Sequence, residues 1–167
     1  MTAASPMKSV PRVAIAGTPR SDRAFPYDLP GRLMREHLVM LRALDRVALD
    51  ASRGRLQEAG EFLGLFQGVF AGYCAAARES AFPLLTLATA YDPNAAVAVR
   101  MTERQFDGAV EYANAHASRF QGRPVAEWDT AALVVSAGLM RGRLAALARR
   151  VELVLLSYFG PAPRPRA

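Results

Sequence analysis

An all-α chain folded as an antiparallel, up-down four-helix bundle is the architecture this sequence predicts. Three observations predict it. Apolar residues recur at steps of three and four, the period of one helix face. Four such stretches are separated by clusters of proline, glycine and Asx residues. No pair of segments shows the alternation of half-buried strands. With 167 residues, 51% of them hydrophobic, the chain is long enough for one domain with its own core and too apolar for wholesale disorder.

The first helix is expected over about 29–51, with Leu33, His37, Leu41, Leu44 and Ala48 as its inward stripe and Arg32, Arg35, Glu36, Arg42 and Arg46 off it. The second runs over about 56–87, with Phe62, Phe66, Phe70, Cys74 and Ala77 along one side. Phe82-Pro83 bends or ends it, because proline in a helix interior costs about 3 kcal/mol. Asp92-Pro93-Asn94 reads as a turn and helix start: an Asx side chain caps orphan amides, and proline is tolerated in the first turn.

The third helix then spans about 95–120, turning Val99, Thr102, Phe106, Val110, Ala113 and Phe120 inward, and Gln121-Gly122-Arg123-Pro124 breaks it. The last helix begins near Glu127 or Asp129 and reaches Phe159, with Leu133, Met140, Leu144, Leu147, Val151, Leu155 and Tyr158 as its stripe. Gly138 and Gly142 either loosen that helix or admit a close neighbour.

The ends read differently. Residues 1–28 form a flexible basic arm with prolines at 6, 11, 19 and 26 and another just beyond it at 30, residues 29–159 the bundle, and residues 160–167 a Pro/Arg tail. The formal charge of +6 sits mostly there: residues 1–27 carry +3, the tail +2, and the stretch between only +1. Arms of that kind solubilise a domain or make weak, salt-dependent contact with nucleic acid or an anionic surface. No run of about 18 uncharged apolar residues exists, and Val13–Ala16 is too short for a signal-peptide core, so a cytoplasmic protein without a membrane span is expected.

Few residues carry chemistry. One cysteine excludes a disulfide framework and a Cys-rich zinc site, and two histidines exclude an ordinary multi-His metal centre within one chain. No glycine-rich phosphate loop occurs. His37, in mid-stripe, is expected as a neutral core histidine bonded to a carbonyl or to Glu79. His116 is expected at the surface near a helix C-terminus. Cys74 faces inward as a small hydrophobe, and its burial opposes the thiolate that Arg78 one turn along would favour. Arg141, Arg143, Arg149 and Arg150 with Tyr158 and Phe159 form a candidate interaction patch on the last helix.

The segment Leu33-Met34-Arg35-Glu36-His37 resembles the opening of hemerythrin-like (HHE cation-binding) domains, whose Glu-His stretch supplies an inward iron ligand. Ala81-Phe82-Pro83 is similar to the end of that family's second helix, and Ala98 to Glu103 to the run before its next histidine. The resemblance implies a four-helix fold around two irons held by about five to seven imidazole and carboxylate ligands. Its His-x-x-x-Glu pair falls here on Cys74 and Arg78, or on Tyr73 and Ala77 one register away, and its third-helix histidine on Arg104 or Gln105. His37 alone stands at a ligand position, and a guanidinium in place of a carboxylate opposes a dication. The resemblance therefore implies a bundle without its di-iron centre and without a cofactor. The expected function is a non-enzymatic subunit, adaptor or regulator working through a protein partner or a second copy. An iron- or haem-dependent sensor using His37 is the alternative, and nucleic-acid contact through the tails is another.

Overall fold

Residues 28–159 are described by the computed structural model, and each helix begins where its sequence supplies a cap or a break. Asp28 accepts the Gly31 amide at 3.1 Å and starts α1 (Leu29–Ser52), with Pro30 in the first turn where its missing N–H costs nothing. The assignment of Asp28 to the arm is thus corrected: it is the helix cap. The expectations for residues 1–27 and 160–167 lie outside the described residues.

At the corner after α1, Gly54 takes φ +72°, a left-handed conformation that glycine adopts without a Cβ penalty. Asp50, fully buried, is ion-paired with Arg46 at 3.1 Å and with Arg55, which ties the corner to α2 (Leu56–Ala76). The second helix continues through a π-turn at Ala77–Ala81 into α3 (Phe82–Ala88). There the Phe82 amide donates to the Ala77 carbonyl, five residues back. Pro83 has no amide to continue the ladder, so the helix absorbs it by widening one turn instead of ending.

Asp92 caps α4 (Pro93–Ser118) by accepting the amides of Asn94 at 3.1 Å and Ala95 at 3.0 Å. Gly122 at φ +71° closes that helix, and a 3-10 turn (Val125–Glu127) leads to Asp129, which caps Ala132 at 3.1 Å at the start of α5 (Thr130–Phe159).

Cross-helix contacts set the direction of every neighbouring pair. His37 and Asp45 of α1 meet Glu152 and Arg141 of α5, so those two run antiparallel. Gln105 and His116 of α4 meet Arg150 and Ser136 of α5, again antiparallel. Arg46 lies over Phe62 at the α1–α2 corner. The described residues therefore form an all-α bundle in which α1 is the central helix, flanked by α2 and α5, and α4 leans mainly on α5.

The core follows the predicted stripes with one rotation. On α1 the buried line runs through Leu33, His37, Met40, Leu44, Val47 and Ala51, while Leu41 and Ala48 are only half-buried. The physical reason is that α1 is covered on two sides, so its buried sector widens towards α2 and carries Ala43 and Asp50 inside. On α2, Leu63 and Tyr73 are inside and Phe62 is half-buried. All six expected inward residues of the third helix are buried. On α5 the expected stripe is buried except for half-buried Tyr158. Gly138 and Gly142 admit no close neighbour: a Cβ there would meet nothing within 4 Å.

Candidate functional site

One buried polar cluster interrupts the core, and three helices build it. His37 sits in the α1 stripe because its position continues the three-and-four spacing of Leu33 and Met40. Its Nδ1 lies 2.8 Å from Oε1 of Glu152, with 10% and 20% of the two side chains exposed. The partner is therefore Glu152 on α5; Glu79, the expected partner, is exposed on the π-turn. Glu36 donates no proton but accepts from Arg32 Nε at 2.7 Å through one oxygen. Three buried polar atoms of the cluster have no hydrogen-bond partner among the described residues: His37 Nε2, Tyr73 Oη and Glu36 Oε2. Burial, then the charges of Glu152, Cys74 and Glu36, push the Tyr73 phenol well above its ordinary range. Both carboxylates thus act on the tyrosine, and one interior holds all four groups.

This arrangement can store a proton between imidazole and carboxylate, and it can present one imidazole nitrogen to the bundle interior. It does not assemble a di-iron ligand set: among the described residues no group of three or more His, Cys, Asp or Glu side chains is placed to hold a metal ion.

The other candidate inner-site residues scatter. Cys74 is buried, as expected, whereas Arg78, Glu79, Arg104 and Gln105 are exposed. Arg78 pairs with Asp107 at 2.8 Å and lies 5.8 Å from the Phe106 ring centroid. Gln105 accepts from Arg150. These four correct the expected inner set: they stand at the surface, where Arg78 finds Asp107 and Gln105 finds Arg150, because the apolar sector between α2 and α4 offers them no polar partner inside. Burial raises the Cys74 thiol to about 11 despite the opposing charge of Arg78. At neutral pH this leaves about a hundredfold less thiolate than an ordinary thiol of pKa 9.0. Native protein is expected to react with iodoacetamide at least that much more slowly than the urea-unfolded chain, followed by mass spectrometry; equal rates would mean that Cys74 is exposed in solution.

His116 is a second correction. It is buried, not superficial, with Nδ1 at 3.1 Å from Ser136 Oγ and its ring 4.3 Å from that of Tyr112. The helix periodicity places residue 116 three beyond Ala113 on the buried face, and that signal was present in the sequence. A cleft of about 290 Å³ opens at the α4–α5 corner, lined by Arg119, Phe120, Arg123, Glu127, Trp128 and Asp129. Its charges balance, and it lies apart from the His37 cluster.

The candidate interaction patch is not one free basic face. Arg141 is paired with Asp45 at 2.5 Å, Arg143 lies 3.8 Å over the Tyr112 ring, and Arg150 bonds Gln105. Arg149 is exposed, and Tyr158 and Phe159 pack half-buried at the edge of the core. What α5 offers outward is mixed. Val135, Leu139, Gly142, Ala146, Arg149, Leu153 and Leu156 all lie exposed at alternating steps of four and three, beside exposed Arg141, Arg143 and Arg150. That spacing is the one a coiled-coil seam uses, with large apolar side chains at its two ends, Val135 and Leu139, Leu153 and Leu156, and Gly142, Ala146 and Arg149 between them. Although no run of about 18 residues is free of charge, α5 is the one described helix long and apolar enough to cross a membrane by length and composition, with 39% of the qualifying window buried in the bundle.

The chain matches no family model, no curated protein and no solved structure.

Proposed function

We propose that the chain is a non-catalytic, hemerythrin-like helical bundle that acts through protein contacts, as a subunit, adaptor or regulator. The observation that carries this reading is the outward seam of α5. Leu139 and Leu153 are 48% and 61% exposed, and a row of such side chains at coiled-coil spacing favours a helical partner, whether another protein or a second copy. Burying each leucine at a partner's surface would contribute about 1.5–3 kcal/mol. Leu139→Glu with Leu153→Glu in the full chain is expected to keep the helical circular dichroism while abolishing concentration-dependent association in sedimentation or a saturable complex with a host protein. If the wild-type chain stays monomeric and forms no complex that the variant lacks, the reading fails.

A second reading, an iron- or haem-dependent sensor, is favoured by one detail. His37 has its Nδ1 held by a carboxylate and its Nε2 buried without a partner, the orientation in which a carboxylate sets a ligating imidazole. Metal analysis and an absorption spectrum of protein made under iron-replete conditions decide it: a chromophore lost in His37→Ala supports this reading, and colourless, metal-free protein removes it. Nucleic-acid contact through the basic ends, a third reading, requires binding that is steeply salt-dependent and lost when both ends are trimmed.

A further inference from the structure

The second histidine lies in a setting that neither reading uses. His116 stands in the last turn of α4, 8% exposed, against Ser136 of α5. Tyr112 of α4 and the Ser136 hydroxyl of α5 touch it, Arg143 of α5 lies over the Tyr112 ring, and Arg119 follows it at the helix end. Glu127 and Asp129 lie with Arg119 along the cleft at the same corner, and among the described residues neither is hydrogen-bonded or ion-paired to the imidazole. Helix α4 leans chiefly on α5, so the seam that contains His116 is the main attachment of that helix.

We propose that His116 is an acid-sensitive fastening of α4 to α5: its protonation places a cation in a buried seam, against the Tyr112 ring over which Arg143 already lies, and loosens that seam. The Ser136 contact does not resist this, since the hydroxyl accepts from the protonated ring and donates to or accepts from the neutral one according to its tautomer. What resists is the loss of hydration and the repulsion from Arg119 and Arg143. Burial, then Arg119 and Arg143, lower the affinity of the folded imidazole for a proton. The unfolded chain then binds the proton more readily than the folded one. Stability is therefore complete above the ordinary imidazole range near pH ~6.5 and declines as pH falls through it. Opening exposes Ala113, Ala117, Leu133 and Ala137, apolar residues buried along the seam.

The test is amide hydrogen exchange of the full chain at pH 7.5 and 5.0, corrected for intrinsic rates, with α1 as internal reference. Protection of α4 is expected to fall severalfold more than that of α1 on acidification, and His116→Gln, which keeps a neutral polar partner for Ser136, is expected to abolish the difference. An unchanged difference in His116→Gln, or α4 protection that does not depend on pH, overturns the proposal. Should that variant not fold, the nuclear magnetic resonance titration of His116 in the wild-type chain decides: titration at or above the value in the unfolded chain is the overturning result.

Discussion

Phe106→Ala is expected to destabilise the chain by about 3–5 kcal/mol, the largest effect of any single core truncation in α4. Phe106 is fully buried, packs edge-on against Phe82 at 5.3 Å, and tilts against Tyr73 at 6.2 Å. It is the point at which α4 meets both α2 and α3. Helix α4 has few other contacts on that side, so the surroundings have little to collapse with, and the cavity persists. Against a total stability of about 5–15 kcal/mol, that is about a fifth or more of the whole. Thermal denaturation followed by circular dichroism is expected to show a Tm lower by roughly 10–15 °C. Phe106→Leu, which fills most of the volume, is expected to cost less than about 1.5 kcal/mol. Equal, small effects of both would mean that α4 is not docked through this residue.

The bundle itself was legible because helix periodicity and breakers act locally. Asp92-Pro93-Asn94 marks a start from three adjacent residues, and the structure places α4 there. The fourth helix runs to Phe159 as its stripe requires. Two kinds of feature were not legible. One depends on how many neighbours a helix has: α1, flanked on both sides, buries Met40, Val47 and Asp50 and leaves Leu41 and Ala48 of the expected stripe half-buried. The other depends on pairing across distant sequence. Glu152 reads as one acid beside a basic run, and nothing local says that it faces a histidine 115 residues earlier.

The expected inner set failed for a related reason. A family register assigns positions along a helix but not the residue chemistry that decides which way they turn. Arginine and glutamine at 78, 104 and 105 go where water and counter-charges are. His37 and Cys74 stay inside because imidazole and thiol can be buried at lower cost. What stands at the centre is a histidine hydrogen-bonded to a carboxylate across two helices.

Whether that pair is structural or functional is decided by removing it in two ways. Glu152→Leu leaves a buried imidazole without its partner. His37→Leu leaves the Glu152 carboxylate near Glu36 and the Tyr73 hydroxyl without its hydrogen-bond partner. Each single change is expected to cost about 3 kcal/mol, and His37→Leu is expected to be the worse because an uncompensated charge costs more than an unpaired neutral ring. The double variant His37→Leu/Glu152→Leu removes both groups and fills the space with apolar volume. It is expected to return to within about 1 kcal/mol of the wild type, or to exceed it, as buried ion pairs often do when replaced as a unit. Urea denaturation of the four proteins gives the cycle. A double variant that folds stably and still binds its partner makes the pair a relic of the interior, compatible with a bundle that works from its surface. A double variant as damaged as the sum of the singles shows instead that His37 and Glu152 hold something else in place. In that outcome the buried Nε2 is the atom to follow, and the ligand reading of His37 gains at the expense of the contact reading.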